Sequence, residues 1–132
     1  MTCRKCLLLV LALALLVGLC GCAQQQEPGS QNAGWVKVPI DTEKAKLLQE
    51  EVDNGHRPGL LDPHQVIYEF LEGQLGIPGS KVQEMRDIKE TREGKTIQVT
   101  LSDGKTLQFC LVQPIRKGGT GIWQVKRYRL LK

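Results

Sequence analysis

Aromatic side chains and histidines are scarce in this sequence of 132 residues, which has two residues each of Trp, Tyr, Phe and His. So few aromatic rings cannot form the stacking platform on which single-stranded nucleic acid binds. The histidines, His56 and His64, have Asp53 and Asp62 as near neighbours, whereas a zinc site needs three or four ligands at set spacings. The sequence therefore predicts no nucleic-acid partner, no metal site and no cofactor.

The sequence also lacks an apolar run of the length needed to cross a membrane, which is about 20 residues for a helix. The run from Leu7 to Val17 has eleven residues. Arg4 and Lys5 precede it without any acidic residue, and the small residue Gly18 follows it. A basic start, a short apolar core and small residues at the exit are typical of a secretory signal peptide, which we predict over residues 1–21.

Directly behind this apolar core, the residues Leu19, Cys20, Gly21 and Cys22 resemble the lipobox of bacterial lipoproteins. The resemblance implies that the Cys22 sulfur receives a diacylglyceryl group and that cleavage before Cys22 makes it the first residue. It also implies export and anchoring to the outer face of the bacterial cytoplasmic membrane, or to the outer membrane where the cell has one. The alternative is a plain signal peptide or a short anchor helix, with Cys22 as an incidental thiol.

If residues 1–21 are removed and Cys22 carries lipid, one free cysteine is left in the mature chain. Cys3, Cys6 and Cys20 leave with the signal peptide and Cys22 is blocked by lipid, so that Cys110 alone remains of the five cysteines. A single thiol cannot form an internal disulfide, and we expect Cys110 to be a small packed side chain in a strand.

The mature chain is predicted to consist of a tether and one small domain. Residues 22–34 contain no apolar side chain larger than alanine after Cys22 and form the flexible tether, so the domain spans residues 35–132. After a short extended segment from Trp35, a helix capped by Asp41 or Thr42 should end near Asn54. A second helix should begin with Asp62 as its cap and Pro63 at its first position, and end at Gly76.

Beyond Gly79 the apolar residues alternate, which indicates strands. We predict strands over about 82–91, 97–101, 107–111 and 122–131, with turns at Glu93–Gly94 and Asp103–Gly104. The sequence thus predicts an α+β domain in which two helices pack on a four-stranded antiparallel meander. This order of elements resembles the cystatin-like and nuclear-transport-factor-like folds, whose members include enzymes and binding domains alike.

Charge is unevenly distributed along the domain. Residues 41–72 hold eight acids and three bases, a net charge of −5, whereas residues 114–132 hold six bases and no acid. This basic end is a candidate for binding the anionic membrane surface or an anionic wall polymer. The alternative is that its side chains pair with the acidic helices or are solvated. The residues in question are Arg116, Lys117, Lys126, Arg127, Arg129 and Lys132.

The connection between the helices, residues 54–64, is longer than two helices need and holds two glycines and two prolines. We interpret it either as a shaped connector that packs Leu60 and Leu61, or as a recognition surface. On the second interpretation His56, Arg57 and Asp62 are candidate binding residues, together with Trp123 at the rim of a ligand site. No catalytic residue is predicted from a recognised motif.

These patterns favour a membrane-anchored, extracytoplasmic binding or interaction domain without catalytic activity. The alternative from another class is a small extracytoplasmic enzyme with His56 and a neighbouring carboxylate in the cleft between helices and sheet. The two hypotheses differ in whether His56, Arg57 and Asp62 converge on one concave site.

Overall fold

The computed structural model describes residues 34–131, and the predicted signal peptide, Cys22 and almost all of the tether lie outside these residues. The described chain is an α+β domain, as predicted, with two α-helices and a five-stranded antiparallel sheet. The elements are β1 Val36–Lys37, α1 Thr42–Asp53, α2 Pro63–Gly73, β2 Val82–Thr91, β3 Gly94–Leu101, β4 Thr106–Val112 and β5 Gln124–Leu130. Single turns of 3-10 helix, Pro58–Leu61 and Gly79–Lys81, precede α2 and β2.

Both helices begin at the predicted caps. The Asp41 carboxylate accepts a hydrogen bond from the Lys44 N–H at 3.1 Å, and the Asp62 carboxylate accepts one from the His64 N–H at 2.9 Å. These bonds satisfy backbone donors that have no partner within the first turn of a helix. Helix α2 ends at Gly73, three residues earlier than predicted, and Gly76 then adopts a positive φ of 65°.

A fifth strand joins the predicted four-stranded meander. The strands lie in the order β1-β5-β4-β3-β2, and β1 pairs Val36 with Tyr128 and Lys37 with Arg127. A strand of two residues is too short to show alternation, and its partner lies about 90 positions further along the chain. Local sequence patterns therefore predicted an extended segment here but not its pairing.

The core lies between the helices and one face of the sheet. Alternate residues of β3 and β4 point into it, namely Ile97, Val99, Leu101, Leu107, Phe109 and Leu111. The rings of Phe70, Phe109 and Tyr128 pack together with centroids 5.4 to 6.0 Å apart. The opposite face of the sheet carries no helix from the described chain, and we call it the open face.

Cys110 lies on the open face, between the buried residues Phe109 and Leu111. It is half-buried, and its sulfur lies 3.6 Å from the Thr96 hydroxyl oxygen.

Among the described residues, no helix combines the length and the apolar character that a membrane span requires.

Candidate functional site

The cleft between the helices and the sheet is a cavity of about 620 Å³. Residues 38–41, the two helices, the connection between them and the first residues of β5 form its walls. Its surface is mostly apolar, through residues such as Leu48, Leu60, Val66 and Phe70, and Asp41, Lys44, Arg57 and Glu69 add charged groups. A volume of this size lies within the range of about 300–1,000 Å³ that ligand sites commonly have.

Two of the four residues predicted from the sequence, Arg57 and Trp123, line this cleft, and His56 and Asp62 do not. The Asp62 carboxylate is engaged in capping α2, and the His56 N–H donates to the Glu51 carbonyl at 2.8 Å. His56, Arg57 and Asp62 therefore do not converge on the cleft. A proton-transfer pair of His56 and a carboxylate is not assembled in it.

Arg57 bridges the two helices at one end of the cleft. Its guanidinium lies 3.9 Å from the Glu51 carboxylate of α1 and 4.0 Å from the Glu69 carboxylate of α2. The backbone of Arg57 is left-handed, with a φ of 49°, and no other non-glycine residue in the described range has a positive φ. Because Pro58 follows, Arg57 is disfavoured in the right-handed helical conformation. This arrangement places a half-exposed cation where the connection meets both helices.

Trp123 separates the cleft from a second cavity of about 390 Å³, which it also lines. Its backbone N–H donates to the Leu60 carbonyl at 2.8 Å, a bond that joins the start of β5 to the helix connection. The Lys95 ammonium lies 5.8 Å from the Trp123 ring centroid. The backbone of Trp123 is thus fixed to the helix connection, its ring contacts Lys95, and the residue lines both cavities.

A charged network of His64, Asp87 and Lys95 lies beside Trp123 and was not predicted from the sequence. The His64 Nε2 lies 2.7 Å from one Asp87 carboxylate oxygen, and the Lys95 Nζ lies 3.2 Å from the other. This network joins the start of α2 to β2 and β3. The Asp87–Lys95 part follows from the β2–β3 pairing, but the His64 contact depends on how the helix packs on the sheet.

Asp87 and Lys95 are the fixed charges of this network. The hydrogen bond from His64, with the one from Lys95, lowers the pKa of Asp87 below 3.8 against the opposing effect of burial. Burial alone would lower the pKa of Lys95, but Asp87 and Glu90 raise it above 10.5. Neither group changes protonation near neutral pH, so both act as fixed charges and not as proton donors or acceptors.

Two buried glutamines hold the loop of residues 114–121, which forms part of the second cavity. The Gln113 amide nitrogen donates to the carbonyls of Gly118 and Gly121 at 2.6 and 3.0 Å, and its oxygen accepts from the Gly118 N–H at 3.0 Å. The Gln49 amide nitrogen donates to the Thr120 carbonyl at 2.8 Å, and its oxygen accepts from the Ile122 N–H at 3.0 Å. Side chains thus replace secondary structure as partners of this backbone.

A substitution at Gly121 tests whether the loop of residues 114–121 is rigid. A Cβ at Gly121 would overlap the Arg116 carbonyl, whereas a Cβ at Gly119 would meet nothing within 4 Å. We expect Gly121→Ala to lower the free energy of unfolding by about 1 to 3 kcal/mol, because the backbone must move away from Gln113. Urea unfolding measures this, with Gly119→Ala as the matched control; equal stability of the two variants would contradict a rigid loop.

Lys132 lies outside the described residues, and the other basic residues near the end of the chain do not share one surface. Arg116 forms two hydrogen bonds with the Asp53 carboxylate at 2.9 and 2.8 Å, and these chiefly lower the pKa of Asp53. Pairing with the acidic helices, the alternative open from the sequence, therefore holds for Arg116. Lys117 lines the second cavity. Lys126, Arg127 and Arg129 belong to β5, where Arg127 and Arg129 are on the open face.

In comparisons with known protein families, curated proteins and solved structures, the chain has no significant match. Within residues 34–131, no group of three or more His, Cys, Asp or Glu side chains is placed to hold a metal ion.

Proposed function

We propose that the protein is a membrane-anchored extracytoplasmic lipoprotein whose folded domain is a non-catalytic binding domain. The observation that carries this proposal is the tetrapeptide ending at Cys22, directly behind an apolar run of eleven residues with a basic start. The order of these features matters, because the small residue Gly21 before Cys22 and the polar residues after it suit cleavage and lipidation at that cysteine.

Binding is favoured over catalysis by the contents of the cleft. It combines an apolar surface with the indole of Trp123 and with the Arg57 guanidinium, which lies between two carboxylates. Such an arrangement suits an apolar group of a ligand with a polar group beside it. The enzyme centred on His56 is not proposed, because His56 does not line the cleft and Asp62 is a helix cap.

The proposal predicts the side of the membrane on which the domain lies. In a bacterial cell that produces the chain, the protein should sediment with the membranes, and protease added to intact spheroplasts should degrade it. A cytoplasmic protein in the same cells serves as the control for intact spheroplasts. Recovery in the soluble cytoplasmic fraction, or full protection until the membrane is lysed, would contradict export and anchoring.

A further inference from the structure

The open face of the sheet carries three rows of side chains that run across the strands. The first row is Lys37, Arg127, Cys110, Thr96 and Lys89; the second is Arg129, Gln108, Gln98 and Arg86; the third is Thr106, Thr100 and Glu84. The uncharged members belong to the central strands β3 and β4 and are half-buried. The five cations lie toward the two edges of the sheet. At one edge, β1 and β5 carry Lys37, Arg127 and Arg129, and at the other, β2 carries Arg86 and Lys89.

Charge is therefore separated across the sheet. Within the three rows Glu84 is the single acid, and its carboxylate lies 3.4 Å from the Arg86 guanidinium. The other side of the sheet carries the helices and their connection, where residues 41–72 have a net charge of −5. An extended anionic surface would attract the open face and repel the helices, so this distribution sets one preferred orientation.

Trp35 lies at the edge of the open face where the domain begins. The Arg127 and Arg129 guanidinium carbons are 4.5 and 4.4 Å from its ring centroid, within cation–π distance. The Gln108 side-chain oxygen also accepts from Arg129 at 3.0 and 2.7 Å. Tryptophan and arginine each combine an apolar body with a polar end, and such side chains are favoured at the boundary between membrane and water.

A shallow cavity of about 220 Å³ opens beside the first row. Its lining includes the cations Lys89, Lys126 and Arg127 and the hydroxyl of Thr96, with Glu93 as its one acid. Cations and a hydroxyl donor around a small cavity suit a phosphate group, which accepts hydrogen bonds on several oxygens.

We infer that the open face binds the anionic phospholipid headgroups of the membrane in which the Cys22 lipid is inserted. This inference rests on the proposed function. Trp35 follows Cys22 by 13 positions, and the tether predicted between them would span about 20 Å on average. The edge of the open face is thus confined close to the headgroups. The open faces of two copies do not fit against each other, because that would bring the same cations together.

Lysine labelling tests the orientation with the lipidated full protein, extracted from membranes and placed in vesicles. Labelling of Lys37, Lys89 and Lys126 should fall at least about fivefold when phosphatidylglycerol is mixed into phosphatidylcholine vesicles. Labelling of Lys44 and Lys46, which belong to α1 on the other side of the sheet, should not change. About 1 M salt should abolish the protection, because it shortens the screening length to about 3 Å.

A pair of charge-reversed variants provides the matched control. Lys126 should lose its protection in the double variant Lys37→Glu, Lys89→Glu and keep it in Lys44→Glu, Lys46→Glu. Failure of the wild-type protein to float with either type of vesicle would contradict the proposed function and the inference with it. Flotation with equal labelling in both vesicles would overturn the inference alone. If soluble polyphosphate protected these lysines from labelling more strongly than anionic vesicles do, the inference of a lipid ligand would be overturned in favour of an anionic wall polymer.

Discussion

Replacing Cys22 with serine is expected to abolish incorporation of labelled fatty acid and to leave the chain as an unprocessed precursor. The resemblance to the lipobox implies that the lipid is attached through a thioether to the sulfur of Cys22, and serine has no sulfur. Cleavage in such proteins follows lipidation, so both steps should be lost together. Gel mobility of the precursor and the fatty-acid label measure the two steps separately.

Cys20 supplies the matched control because it lies two residues away at the loosely chosen position of the tetrapeptide. Cys20→Ser should keep the fatty-acid label and the mobility of the processed chain. Full labelling of Cys22→Ser, or equal loss of label in both variants, would show that Cys22 is not the acceptor.

Gln49→Met is expected to cause the largest loss of stability among the variants considered for the folded domain. Gln49 is 3% exposed, and its amide is the partner of the Thr120 carbonyl and the Ile122 N–H. Methionine fills a similar volume but leaves both backbone groups without this partner. Ile122 is fully buried, and a buried polar group without a partner costs about 1 to 3 kcal/mol. The lost bond to the exposed Thr120 adds about 1 kcal/mol, so we expect the free energy of unfolding to fall by about 2 to 4 kcal/mol.

Urea unfolding followed by circular dichroism measures this loss. Gln65→Met, which makes the same change at an exposed position of α2, should stay within about 0.5 kcal/mol of the wild type. If Gln49→Met were as stable as Gln65→Met, the loop of residues 114–121 would not depend on the Gln49 amide.

Elements with local signals were predictable from the sequence. The pair Asp62–Pro63 predicted the start of α2, and alternation predicted strands 97–101 and 107–111, which lie within the observed bounds of β3 and β4. The Asp103–Gly104 turn is confirmed by the φ of 86° at Gly104. In each case a single local requirement, such as a cap, a fixed φ or a two-residue period, selects the structure.

The other predicted turn, Glu93–Gly94, is displaced by one residue. The turn is formed by Arg92 and Glu93, and Gly94 is the first residue of β3 with a negative φ. A Cβ at Gly94 would overlap the Leu111 carbonyl, so glycine is required by a close approach of backbone and not by a left-handed turn. Such an approach involves a distant segment and has no local signal.

The candidate site was predictable only in part for the same reason. Arg57 and Trp123 line the cleft, but His56 and Asp62 are neighbours of Arg57 in sequence and not in the cleft. Gln49 occupies the apolar stripe of α1 and was not singled out, although a polar residue in such a stripe indicates a buried hydrogen-bond partner. Which backbone it binds depends on packing between segments more than 70 positions apart.

The intact mass of the protein extracted by detergent from membranes tests the lipid anchor most directly, since export, cleavage and lipidation all change it. We expect the mass of residues 22–132 with a diacylglyceryl group on Cys22, with or without a further acyl chain on the new amino terminus. A mass equal to that of the unmodified chain, whether or not residues 1–21 are removed, would contradict anchoring through Cys22.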